Sequence, residues 1–318
     1  MSDPSEASPA ADARYVLLDP MPRPMSRRGA VLLGIIIVVV LVGLVLMVRF
    51  YSSEGGVRFT SRAEPVRPDV TVLLRPIDLD PQTNIARIQL TFVDVAPTLL
   101  SSTGQLGQAM SVWVRDWEGE QEFRFPVGAT LGRSQFSVPI DGEEAYYPFD
   151  SYLTNVIVDA ATMAKQADGS LARDKPLTVG VRAEGGIYGW DTNVTGVPEA
   201  PYGAGALVGF QRAFSVQLFA MALVLLMVVL AAVALVMALL VTSGRRPMEA
   251  VLLGWLGSIL FALPLLRNSL PAAPPIGANI DIFVFFWVLM AVLAAAVLVA
   301  VTWIRQRRLA LLAGRQTM

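Results

Sequence analysis

Four charge-free apolar stretches, Gly29 to Val48, Ala213 to Gly244, Ala250 to Leu266 and Ile282 to Ile304, frame a polar block of about 160 residues. A hydrocarbon core roughly 30 Å thick takes about 20 apolar residues of helix, and uncharged runs of 18 or more mark membrane spans. The chain therefore reads as a multi-pass membrane protein, with one span before the polar block and three after it. The second stretch is 32 residues long, about 48 Å of helix at roughly 1.5 Å per residue, so it tilts or projects beyond the bilayer.

Cysteine and histidine are absent from all 318 residues. That removes disulfides, thiol nucleophiles, thiolate or imidazole metal sites and histidine acid–base catalysis. The 25 basic residues include only two lysines, Lys165 and Lys175, a bias that fits a GC-rich bacterial genome. Net charge is −1, yet Phe50 to Gln211 holds 12 basic against 20 acidic residues. A module with that balance repels nucleic acid and anionic lipid, so neither is an expected partner for it.

Orientation follows from arginine. Arg14, Arg23, Arg27 and Arg28 precede the first stretch, Arg245 and Arg246 separate the second from the third, and Arg305, Arg307, Arg308 and Arg315 follow the fourth. The short loop on the other side carries Arg267 alone, so the positive-inside rule puts both termini in the cytoplasm and residues 49–211 outside it. The expected place is the cell (plasma) membrane. Ser26-Arg27-Arg28 partly resembles a twin-arginine export signal. The run that follows ends in Met47-Val48-Arg49-Phe50-Tyr51 with no Ala-x-Ala site, which favours an uncleaved signal-anchor helix.

The expected division is a disordered cytoplasmic tail (1–28), a first transmembrane helix (29–48), an extracytoplasmic domain (49–211), a second span (213–242) and a third (248–266). An outer Pro-rich hairpin (267–280), a fourth span (281–304) and a cytoplasmic tail (305–318) complete it.

The extracytoplasmic block reads as short strands between turns: Val70 to Arg75, Ile85 to Val95, Met110 to Trp117, Gln121 to Val127, Ser134 to Ile140, Tyr152 to Asp159, Leu177 to Ala183 and Ile187 to Val194. In Ile88-Gln89-Leu90-Thr91-Phe92 and Phe123-Arg124-Phe125-Pro126-Val127 apolar side chains alternate with others, the period of a half-buried strand. The fold class is thus a membrane protein of α plus β type. It combines an N-terminal signal-anchor, an extracytoplasmic antiparallel β-sandwich and a C-terminal three-helix bundle. Trp113, Trp117, Trp190 and Phe92, Phe123, Phe125, Phe136 and Phe149 are first of all core material.

Chemical constellations are sparse. Asp78-Leu79-Asp80-Pro81-Gln82 begins like a calcium loop, but proline follows the second Asp and the required glycine is missing, so it reads as a turn. The acidic clusters Asp116 to Glu122 and Asp141 to Glu144 fall at expected hairpin turns, where solvated charge is the plainer account than a loosely held cation. No phosphate loop or nucleophile elbow occurs. No catalytic, cofactor or metal residue is expected.

Two segments stand out as structural or coupling candidates. In Tyr146-Tyr147-Pro148-Phe149-Asp150-Ser151-Tyr152, Pro148 breaks the ladder and Asp150 can bond the next backbone, making a stiff corner. A similar Pro-Phe-Asp corner occurs in pentameric ligand-gated channels, between ligand domain and pore. Those channels place four helices after the domain and none before it, which argues against membership. The second segment runs from Phe261 to Trp287, where Arg267 and Asp281 flank Pro271, Pro274 and Pro275. One account has Arg267 snorkelling to the interface and Asn279 or Asp281 capping the last helix. The sharper account pairs Arg267 with Asp281, fixing the hairpin as a platform. In the third stretch Gly254, Ser258 and Ala262 recur every four residues, a stripe suited to close packing with a neighbouring helix.

The order of elements, the YYPFDSY corner, Gly189-Trp190 and the FALPLLRN and PPIG pieces leading to FFW resemble a bacterial and fungal membrane family, domain of unknown function 4436. The resemblance spans roughly Val57 to Trp303, and its pattern favours glycine where Ala272 stands. It implies a membrane location and no activity.

The expected function is noncatalytic: an envelope binding or scaffold protein whose β-sandwich engages an exported or membrane protein while the helices sit in the lipid bilayer. A receptor or transport-associated subunit coupling ligand binding to the helices is the alternative, and a carboxylate-based membrane enzyme ranks last. Oligomeric state is open.

Overall fold

The computed structural model describes residues 57–61, 67–167, 169–198 and 203–315, together with 31, 38, 41–43, 45, 48 and 49. Residues 1–49 and 50–318 form separate compact units. In the first, the described residues are helical; the rest of the expected anchor (29–48) and the tail (1–28) lie outside the described residues. The second unit combines β-sheets with three helices long and apolar enough to cross a membrane.

Its strands are β1 (Val57–Ser61), β2 (Val70–Asp80), β3 (Ile85–Val95), β4 (Met110–Arg115), β5 (Glu120–Phe125), β6 (Ser134–Pro139), β7 (Asp141–Gly142), β8 (Ser151–Lys165), β9 (Leu171–Leu177), β10 (Val179–Ala183), β11 (Trp190–Pro198) and β12 (Ala204–Arg212). The larger sheet runs β1-β11-β12-β8-β4-β5, with β7 and β9 also on β8, and the smaller runs β10-β2-β3-β6. The 15-residue β8 is the spine of the larger sheet. One edge pairs with β12 along its first half and β9 along its second, while β7 and β4 divide the other.

Alternation builds the core. Val156 and Val158 of β8, Ala206 and Val208 of β12, Val70 and Val72 of β2, and Ile88 and Leu90 of β3 all point into a single apolar cluster shared by both sheets. Burying them removes apolar surface worth about 25 cal/mol per Å². No disulfide is needed at this domain size.

Three differences from the sequence reading have physical causes. Two strand pairs are parallel, β1 with β11 and β2 with β10. These strands are far apart in sequence, so no hairpin dictates their direction. β2 continues past Arg75 to Asp80 because Pro76, which lacks an N–H, is accommodated beside a register shift between Pro76 and Asp78. β12 was not expected, because its inward face (Ala204, Ala206, Val208, Phe210) is mostly small and its sequence is glycine-rich. Among the aromatic residues read as core, Trp113, Trp190 and Phe136 are buried and Phe92, Phe123 and Phe125 partly so, whereas Trp117 is 49% and Phe149 62% exposed.

The helices are α1 (Phe214–Thr242), α2 (Ala250–Asn268) and α3 (Phe286–Arg315), the last preceded by a π-helical turn, Asp281–Phe285. Ala220, Met227, Ala231, Ala234 and Ala238 line the inner face of α1 against Val292, Ala295 and Val299 of α3. Small side chains let the two backbones approach closely, the main attraction available to helices in lipid. In α2 the packing residues are Leu256, Ile259 and Leu263. The expected Gly254 and Ser258 stripe is exposed instead, since helical spacing carries it off the buried face.

Candidate functional site

Strand register assembles the site. In the β8–β12 ladder Phe210 lies opposite Tyr152 and Gln211 opposite Ser151. Side chains alternate, so Arg212 shares the inner face with Phe210, and Asp150 shares it with Tyr152. One further step of the ladder brings Arg212 to Asp150, and Trp190 of β11 lies opposite Arg212 on the other side. Asp150, Arg212 and Trp190 thus form one transverse row at the end of the larger sheet.

Arg212 Nε donates to Asp150 Oδ1 at 2.5 Å, and the Tyr152 hydroxyl donates to Asp150 Oδ2 at 3.0 Å. Both charged side chains are essentially inaccessible, at 4% and 0% exposure. The guanidinium lies 4.6 Å from the ring centroids of both Tyr147 and Trp190. Trp190 also meets Tyr152 edge-on, with centroids 5.6 Å apart. Gly189 holds this row next to the membrane helices: its carbonyl accepts from Ala213 N, and a Cβ there would sit 3.2 Å from Val216. Its φ of +81° also favours glycine.

The corner turns back from this row. The Tyr147–Pro148 peptide is cis and Pro148 is buried, while Phe149 projects outward. Tyr147 packs into the helix cluster and donates its hydroxyl to the carbonyl of Pro271 at 3.0 Å. Gln82, in the β2–β3 turn, adds a 3.4 Å hydrogen bond to the Ala273 carbonyl. Tyr146, Phe149 and Tyr188 stay exposed around this base.

The hairpin is held from within. Arg267 Nε donates to Asp281 Oδ1 at 2.9 Å, and an Nη reaches Asp281 Oδ2 at 2.6 Å and the carbonyls of Pro274 and Pro275 at 2.9 and 3.0 Å. Asp281 Oδ2 also accepts from Gly277 N at 3.0 Å. Arg267 is buried rather than snorkelling, because the chain itself supplies its acceptors. Neither Asn279 nor Asp281 acts as the expected cap; the Asp281 carboxylate is spent on Arg267 and Gly277. Ala272 has φ of +44°, a left-handed conformation that glycine adopts with less strain than alanine.

Several cavities adjoin this framework. One of about 470 Å³ lies between the sheets and the hairpin, lined by Asp78 to Gln82, Glu144, Arg212 and Ala272 to Pro275. An open groove of about 820 Å³ runs past Asn84, Trp117, Glu118, Glu120 and Asp141. An apolar crevice of about 780 Å³ lies beside Arg267, between α2 and the start of α3. Among the described residues no group of three or more acidic side chains is placed to hold a metal ion. Asp116 closes its own turn onto Glu118 N and Gly119 N, and Asp80 onto Gln82 N.

The carboxylates of Asp150, buried, and Asp281, partly buried, are each committed to an arginine. Pairing of this kind costs desolvation and returns geometry. Of the residues read from sequence, Asp150 and Trp190 meet in the row, Pro148 turns the corner, Arg267 and Asp281 join, and Phe149 stays apart. Tyr147 stands in the sequence reading only as part of the corner motif, and Arg212 has no place in it. The available signal was one arginine placed immediately before a long apolar run.

Removing one member of the buried pair leaves the other charge uncompensated. Asp150→Asn or Arg212→Met is expected to cost about 3–5 kcal/mol, and the double variant less than the sum. Denaturation of the purified protein checks this, and additive losses would contradict the pairing. Burial pushes the Tyr147 phenol up to about 12 from 10.0, against the pull of Arg212. Burial, followed by Asp150, raises Tyr152 as well. A phenol whose pKa is raised on folding supports the fold below pH 10 and loses that support as pH rises through about 12. Tyr147→Phe should therefore flatten part of the stability loss between those values, and an unchanged alkaline profile would refute its burial.

No curated protein matches the chain. Residues 60–214 match the family model described as Domain of unknown function (DUF4436). Residues 212–306 match a second, Domain of unknown function (DUF8686), so the helical part of the resemblance is carried by a separate family model. The two matches overlap at Arg212 and the entry to α1. The sheet block, residues 60–214, belongs to the DUF4436 family.

Proposed function

We propose that this is a noncatalytic binding protein of the cell membrane, with an extracytoplasmic β-sandwich that engages an exported or membrane protein and helices that fix its height and orientation. The observation that carries this reading is the open groove around Trp117. Its wall offers an exposed indole beside Glu118, Glu120 and Asp141, while the buried charges elsewhere are consumed in holding the fold. An exposed tryptophan with hydrogen-bonding neighbours has the composition of a binding hot spot. The arginine distribution supports cytoplasmic termini and an N-terminal signal-anchor.

A specific observation also favours coupling as a second reading. Arg212, Tyr147 and Pro271 form a continuous contact path from the sheets to the hairpin, and the corner resembles one that lies between ligand domain and pore in pentameric channels. The buried face of α1 is nearly all apolar, so such coupling would act through helix position rather than a polar path.

Crosslinking and pull-down from native membranes should recover a reproducible protein partner. Trp117→Ala should weaken its binding by about 2 kcal/mol, about 30-fold, with the unfolding midpoint unchanged. Failure to recover any partner would defeat the binding reading. For coupling, ligand-dependent solute flux in liposomes is the measurement, and a flat response to the recovered partner removes it.

A further inference from the structure

We propose that the apolar crevice between α2 and α3 seats the acyl chain of a membrane lipid, drawn from the leaflet nearest the sheets. The crevice has about 780 Å³ of space, within the roughly 300–1,000 Å³ typical of ligand sites. Its walls include Ile276, Ile282, Phe283, Phe286, Trp287 and Leu289. Phe283 and Trp287 are 71% and 64% exposed, far more than packing residues of a bundle.

Depth identifies the occupant. α2 has 19 residues, about 28 Å at roughly 1.5 Å per residue, close to the hydrocarbon thickness of about 30 Å. Its last turns therefore reach the edge of the hydrocarbon, and the hydrogen bonds of the hairpin to Tyr147 and Gln82 show that this edge is the one facing the sheets. Lipid chains are the apolar material present at that depth.

Shape separates the crevice from an ordinary lipid-facing surface. Both helices that border it are irregular there: α2 contains Pro264, and α3 is preceded by the π-helical turn. Proline has no N–H for the carbonyl four residues earlier, and a π turn widens the helix, so each opens its own side of the gap. The polar groups at its end, Arg267 and Asp281, are already bonded to each other and to the hairpin. A polar ligand finds few free partners, whereas an alkyl chain needs none. A chain seated there would brace the hairpin against its own ion pair.

The test uses the full chain reconstituted in phosphatidylcholine vesicles that carry a phosphatidylcholine with a photoactivatable diazirine in one acyl chain. Mapping by mass spectrometry should place labelling on residues 276–289 several-fold above that on the exposed face of α1 around Leu225, Val229 and Val236. Ile282→Trp, which fills the crevice from an exposed position, should reduce labelling to the α1 level without lowering the unfolding midpoint. Equal labelling of both regions in the wild-type protein would overturn the proposal, leaving only the general lipid annulus. The chain has no cysteine, so Phe283→Cys carries a single thiol. Disulfide-linked dimers of that variant in membranes would also overturn it, in favour of a second copy covering the face.

Discussion

Asp150 and Arg212 are almost entirely withdrawn from water at the place where the larger sheet ends and α1 begins. Moving two ions from water into a protein interior costs several kcal/mol each, and attraction repays that only with good geometry and further hydrogen bonds. Here Tyr152 supplies a third contact and two aromatic faces cover the guanidinium. The row works only in one register, because a one-residue slip of β12 against β8 would turn Arg212 to the opposite face. That register in turn fixes where α1 leaves the sheet, since Ala213 follows at once and bonds Gly189. The pair is therefore better understood as a device for specifying geometry than as a source of net stability.

The second ion pair applies the same logic to a hairpin. Prolines at 271, 274 and 275 deprive the segment of backbone donors, so its carbonyls need partners from elsewhere. Arg267 supplies them at Pro274 and Pro275 while holding Asp281, and Tyr147 supplies one at Pro271. Tyr147 consequently belongs to both halves: its ring faces Arg212 of the sheet, and its body packs with the helices.

The legible parts of this architecture are those written locally. Uncharged runs reveal the helices, period-two alternation reveals β3 with its observed ends, and an odd corner such as Tyr147-Pro148-Phe149-Asp150 is visible as a motif. Partnership is less legible. Asp150 meets a residue 62 positions away, and only the β8–β12 register determines that meeting. β12 itself is obscured by alanine and glycine, which carry little hydrophobic signal even when fully buried. Burial of Arg267 was equally hidden, since a lone arginine at a helix end ordinarily reaches water. Only the folded hairpin, with two carbonyls turned inward, supplies a better alternative. Trp117 shows the reverse case: its size suggests core, but its position on the β4–β5 turn leaves it outside.

These contacts limit how the two halves can influence one another. Four bonds tie Arg267 to the hairpin and to the first turn before α3, joining the end of α2, the hairpin and the start of α3 into one bonded body. The sheet block touches that body through the Tyr147 bond to Pro271 and the Gln82 bond to Ala273, and it is joined covalently to α1 at Arg212. α1 packs along α3 through a surface of small residues, where sliding meets less steric resistance than separation. A displacement of the sheets would therefore reach the membrane by two routes, pulling on α1 directly and on α2 and α3 through the hairpin. The link to α1 and the Tyr147 contact both lead back to Arg212, which bonds Asp150 and covers Tyr147, whereas the Gln82 bond reaches the hairpin from the β2–β3 turn. The residue that ends the last strand thus lies next to both the start of α1 and, through Tyr147, the hairpin that joins α2 to α3.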